Sequence, residues 1–243
     1  MNDSIHHRRF LWIAPILLAL SRSTVADGLN ITQIYAPYVQ ILEQEIELVA
    51  IADSQSQNQN QNQEPSYNWQ KIGYGRSLLP SLYSELSLTR VDDGHRTDTM
   101  LELENIWQLT EQGEYASDWG LLLELETFLD KSAREVSLGI LNNWDIGKFS
   151  LLTNASIMYE SGEDIRDEWE TLLAIQGRYR RGQAWEPTVE VFVGQDTLAV
   201  GPGLTGVIKG AGARQLRWNM VVLNDFDTRS DLVLKLEIEY EFF

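Results

Sequence analysis

The chain has 243 residues, no cysteine, and 36 acidic against 19 basic side chains, for a net charge of −17. Lack of cysteine excludes disulfides and thiolate metal sites. The acidic excess leaves no basic footprint for a nucleic acid, whose phosphates require one.

At the start, Arg8 and Arg9 precede an apolar run from Phe10 to Leu20 and the small-residue site Thr24-Val25-Ala26. That order is the layout of a secretory signal peptide spanning residues 1–26, cut after Ala26. The competing reading is an uncleaved anchor. The run is broken by Pro15 and is short against the roughly 20 residues a membrane helix needs. Cleavage removes Arg8, Arg9, Arg22 and Asp3, so that −17 becomes −19. Residues 27–43 then read as a periplasmic N-terminal segment and 44–243 as one all-β domain.

From residue 44 onward, runs of about ten residues alternate apolar and polar side chains between polar punctuation. About twelve are discernible: 44–53, 67–76, 82–91, 98–108, 118–129, 135–144, 148–159, 169–180, 187–195, 203–211, 214–223 and 232–243. Successive side chains of a strand point to opposite sides. Glu45 and Glu47 therefore face away from Ile46 and Leu48, and Glu102 and Glu104 from Leu101, Leu103 and Trp107. In the fifth run Trp119, Leu121, Leu123 and Leu125 oppose Leu122, Glu124 and Glu126. In the eighth, Gln176, Arg178 and Arg180 share a face. The last run places Leu232, Leu234, Leu236, Ile238, Tyr240 and Phe242 opposite Val233, Lys235, Glu237, Glu239 and Glu241.

Sheets with one leucine-rich and one charged face suit either lipid or water. Runs of this length match the 9–11 residues of a membrane-spanning strand, and closure satisfies every backbone group. The expected fold is a single antiparallel transmembrane β-barrel of about twelve strands. With both ends periplasmic, the outward connections 54–66, 92–97, 160–168, 196–202 and 224–231 are mostly long. The inward ones, 77–81, 145–147 and 212–213, are short, with 109–117 an exception. Trp107, Trp119, Trp144, Phe149, Trp185 and Phe242 fall near periplasmic strand ends, and Trp69, Tyr159 and Trp169 near outer ends, as interfacial girdles would. Trp218, in mid-strand, does not fit.

Several stretches carry a family likeness: Ile34-Tyr-Ala-Pro-Tyr-Val39, Ile72-Gly-Tyr-Gly75, Glu104-Asn-Ile-Trp-Gln-Leu-Thr-Glu-Gln-Gly-Glu-Tyr115, Gly201-Pro-Gly203 and Leu236-Glu-Ile-Glu-Tyr-Glu-Phe242. Together they resemble a largely uncharacterised group of proteobacterial outer-membrane β-barrel proteins, porin-like and ending in Tyr-x-Phe. The resemblance implies a barrel in the outer membrane of a Gram-negative bacterium, with outer-membrane lipid around it, and no catalytic motif. It also implies recognition by the barrel-assembly machinery through Tyr240 and Phe242, although here Phe243 follows the usual ending.

Chemistry has two candidate seats. Beyond the signal peptide the single histidine is His95, within Val91-Asp-Asp-Gly-His-Arg96. One imidazole without a nucleophile partner argues against a Ser–His lipid-modifying enzyme, and the stretch reads as a hydrophilic loop. The other seat is the polar inner face. Its acidic members are Glu45, Glu47, Glu85, Glu102, Glu104, Glu124, Glu126, Glu190, Glu237, Glu239 and Glu241. Its bases are Arg178, Arg180, Arg217 and Lys235. Such a wall either favours small cationic solutes in a porin-like passage or pairs across a closed lumen. No cofactor, metal or catalytic residue is expected. The tract Asp53–Glu64, rich in Gln and Asn, reads as a flexible loop, and Gly201–Gly206 as a turn.

Overall fold

A computed structural model describes residues 31–54, 67–92, 96–163, 167–195, 197–226 and 232–243. Residues 1–26, expected as a signal peptide, His95 and most of the Gln/Asn tract lie outside the described residues. Twelve strands form: β1 (Gln44–Ser54), β2 (Asn68–Leu79), β3 (Leu82–Asp92), β4 (Thr97–Gln108), β5 (Asp118–Phe128), β6 (Ala133–Ile146), β7 (Phe149–Gly162), β8 (Glu168–Tyr179), β9 (Glu186–Val193), β10 (Leu198–Lys209), β11 (Arg214–Asp225) and β12 (Leu232–Phe242). Each pairs antiparallel with its sequence neighbour, and β12 closes on β1 to complete a barrel. The seam runs in unbroken register from Gln44↔Phe242 to Ser54↔Leu232. Closure leaves no strand edge with unpaired backbone groups.

Alternation decides which face turns inward, because a one-residue slip would exchange the faces of a strand. In β12 Leu232, Leu234, Leu236 and Tyr240 are exposed, while Val233, Lys235, Glu237 and Glu241 are buried. The same division gives exposed Leu86, Leu88, Leu101, Leu103, Leu121 and Leu125 on β3 to β5. The barrel is thus apolar outside and largely polar within. The inner wall is layered. Near the end bearing the β1–β2 and β11–β12 connections, Ile51, Leu172, Ala174, Phe192, Ala199, Leu223 and Val233 form an apolar layer. Toward the opposite end, Tyr83, Ile106, Leu122 and Leu141 form a second apolar patch.

The N-terminal segment gives the main departure from expectation. Its described part, residues 31–43, does not stand clear of the barrel. Ile31 is buried in the first apolar layer and Val39 in the second, so the segment threads the lumen between them. A turn then leads into β1, with the Glu43 N–H donating to the Gln40 carbonyl at 3.2 Å and Leu42 in left-handed backbone (φ 68).

Three smaller differences follow from packing. Residues 201–206 form part of β10, not a turn. Gly201 lets β11 approach so closely that a Cβ there would stand 1.8 Å from the Val222 carbonyl oxygen. Pro202 faces outward and is exposed. Because β10 starts at Leu198, the β9–β10 connection shrinks to 194–197, and the expected contrast between long and short loops weakens. Trp69 turns inward against the apolar layer and is no girdle residue. By contrast Trp119, Trp144, Phe149, Trp169 and Trp185 are exposed on the outside, and Tyr159 stacks on Trp169 with centroids 4.7 Å apart. The β6–β7 hairpin turns on Gly147-Lys148, where φ of +61° at Gly147 fits a type II′ turn.

Candidate functional site in the lumen

The inner wall centres on two buried lysines. Lys71 projects from β2 and its ammonium lies 3.3 Å from Glu47, 3.1 Å from Glu85, 3.8 Å from Glu102 and 3.5 Å from Glu104. The room for this cluster comes from glycine. A Cβ on Gly73 would fall 2.3 Å from the Glu85 carboxylate, and one on Gly75 would fall 1.7 Å from the Tyr83 hydroxyl. That hydroxyl donates to Glu45 and lies 3.2 Å from Glu85. On β12, one strand beyond β1, Lys235 sits 2.9 Å from both Glu190 and Glu237. Gln176 and Asn219 each donate to Glu190 at 2.8 Å, and Asn219 donates to Glu237 at 2.8 Å as well.

The arginines of the wall lie toward the end of the barrel where β1 begins and β12 ends. Arg217 pairs with Glu241. Arg178 lies 3.5 Å from Glu186, and Arg180, just past the end of β8, meets Asp145 at 2.6 Å. Glu43, which precedes β1, has its pKa pushed up to about 7 by burial and by Glu241, against the pull of Arg217. Among the sequence candidates, then, the lysine at 235 and its two carboxylates form one cluster. Glu47, Glu85, Glu102 and Glu104 form a second, and Arg178, Arg180 and Arg217 form separate pairs at the rim.

Carboxylates oppose one another in rows along the wall. Register places Glu85 opposite Glu104 and Glu104 opposite Glu124. A second row runs Glu102, Glu126, Glu135, Glu160, Glu168 over five successive strands. At the seam Glu45 opposes Glu241 and Glu47 opposes Glu239. Like charges directly opposite destabilise a sheet, and Lys71 offsets this at Glu85, Glu102 and Glu104. Carboxylate oxygens of Glu102, Glu104 and Glu124 lie within 4.8 Å of one another, as do those of Glu43, Glu45 and Glu241.

Sequence reading missed Lys71, the most heavily paired cation of the wall. Its signal was present: Lys71, Gly73 and Gly75 share a strand face opposite Ile72 and Tyr74, so alternation alone turns the lysine inward. Gln33, Tyr35 and Asn154 were also missed, and no local pattern announces them. They meet only because the N-terminal segment enters the lumen.

No protein-family model matches the chain, and no curated protein matches it. Solved structures do. An outer membrane channel from Pseudomonas putida F1 is 13% identical with a TM-score of 0.58, covering 84% of this chain and 96% of that one. The KdgM porin is 7% identical with a TM-score of 0.56, covering 82% and 99%. The translocator domain of the autotransporter NalP from Neisseria meningitidis is 8% identical with a TM-score of 0.55, covering 84% and 88%. At these identities the likeness establishes the fold, which is that of outer-membrane β-barrels.

Proposed function

We propose that this protein is a small porin-like channel in the outer membrane of a Gram-negative bacterium, passing small solutes with a preference for cations. The carrying observation is the pair of carboxylate rows, in which like charges face each other across strands β3–β5 and β4–β8. A lumen of that sign lowers the energy of a cation within it and raises that of an anion. The similarity to porin and channel folds supports passage in preference to catalysis. In this reading residues 1–26 are a signal peptide removed on export, and Tyr240, Phe242 and Phe243 on the closing strand are what the assembly machinery reads.

Planar-bilayer recording under a potassium chloride gradient tests the proposal. The expected reversal potential has the sign of cation preference, and Glu102→Gln combined with Glu104→Gln and Glu124→Gln weakens it. Anion preference would overturn the assignment. A closed structural barrel is the second reading, favoured by the presence of residues 31–40 inside the lumen.

A further inference from the structure

We propose that the inner wall is a binding groove for one extended polypeptide strand. Residues 31–40 of this chain are its removable occupant, a plug whose departure opens the passage. The inference rests on the channel reading above.

The groove recognises backbone. Asn154 of β7, itself buried, holds Tyr35 from both sides of its peptide unit: the Tyr35 N–H donates to Oδ1 at 2.6 Å and Nδ2 donates to the Tyr35 carbonyl at 2.9 Å. Gln108 of β4 accepts the Val39 N–H at 2.8 Å, and Lys235 of β12 donates to the Thr32 carbonyl at 2.9 Å. Contacts from three well-separated strands therefore fix the register of one extended chain. Side chains add to this hold. Gln33 donates to Glu47 and accepts from Lys71 at 2.9 Å, and the Tyr38 hydroxyl donates to Asp118 at 2.7 Å. Ile31 fills the apolar layer at one end and Val39 the patch at the other.

The occupant is separable from the barrel. Residues 31–39 belong to no strand, so their release breaks no rung of the ladder. The wall also keeps its own partners. Without Gln33, Lys71 retains four carboxylates, and without Thr32, Lys235 retains Glu190 and Glu237. Asn154 loses both of its partners and Gln108 the one on its Oε1, and these groups must hydrate. At the turn into β1, the exposed Ile41 and left-handed Leu42 provide a pivot. Recognition through main-chain groups is how proteins bind extended peptides generally; here that peptide is covalently attached, which raises its effective concentration.

The test deletes residues 31–40 from the full chain and compares conductance with the intact protein, both checked for folding by heat-modifiable gel migration. The deleted barrel is expected to conduct at least about tenfold more. A synthetic peptide of residues 31–40 added to it should restore the block, and Asn154→Ala should weaken that block by about tenfold, the loss expected for two hydrogen bonds. Equal conductance of intact and deleted barrels, or a deleted barrel that the peptide leaves open, overturns the plug while sparing the channel. A deleted barrel that is folded but silent overturns the channel reading itself. Should the deletion not fold, Tyr35→Cys with Asn154→Cys introduces the sole two thiols of the chain. The oxidised pair should be silent and the reduced pair conducting; identical currents in both states would refute the plug.

Discussion

Lys71 holds four carboxylates within 4.0 Å while almost wholly removed from solvent, and that balance sets its energetic weight. Burying the cluster is costly, and the cost is met only while the cation stays. Removing one partner of a buried ionic group leaves uncompensated charge and costs about 3–5 kcal/mol. Lys71→Met is therefore expected to destabilise the barrel by about that amount in urea unfolding from detergent, whereas loss of the exposed Arg90–Asp92 pair at 3.9 Å costs under about 1 kcal/mol. Glu43 provides a pH readout. Its pKa rises in the folded protein from 4.5 to about 7, so the folded state keeps a proton that the unfolded state has shed. Stability from this group is full below about 4.5 and is lost as pH rises through about 7. Melting in detergent should fall between pH 5 and pH 8, and fall less in Glu43→Gln.

Strand β10 shows how an element is set by its neighbour. Glycine and proline within Leu198–Lys209 look like a turn when read locally, because both weaken a strand. In the barrel Gly201 is required by the close approach of β11, and outward-facing Pro202 costs only a rung. Gly201→Val is expected to abolish the compact, heat-modifiable band on gels, since the new Cβ would collide with backbone at Val222. Gly177→Ala is the control, because its Cβ would meet nothing nearer than the Val189 carbonyl at 4.0 Å. A Gly201→Val barrel that folds normally would show that β10 and β11 can separate without loss.

For the molecule as a whole, the apolar outer surface is the deciding quantity. Leu103 and Leu125, paired across β4 and β5, are both exposed, and leucines surround them on β3 and β5. An exposed continuous apolar surface of this kind calls for a non-aqueous surrounding. Leu103→Lys is expected to lower stability by about 2–4 kcal/mol when the barrel is folded into lipid vesicles. At a water-exposed position the same change stays within about 0.5 kcal/mol, so a near-zero effect would refute immersion of this face.

The barrel itself was legible because period-two alternation is a local property. The terminal run 232–243 assigns its leucines and glutamates to faces without reference to any other strand, and the structure keeps that assignment. So too the acidic sign of the wall was readable from Glu102, Glu104, Glu124 and Glu126, whose side follows from parity. What lay beyond local reading is what sits inside. Ile31, Gln33 and Tyr35 carry no periodic signal, and what receives them (the apolar layer around Phe192, then Lys71 and Asn154) is far away in sequence. Sequence by itself determined the faces, the strands and the charge of the lumen, because alternation needs only adjacent residues. Only the tertiary structure decided that the N-terminal segment occupies that lumen and that Lys71 anchors its wall, because both depend on strand closure bringing distant residues together.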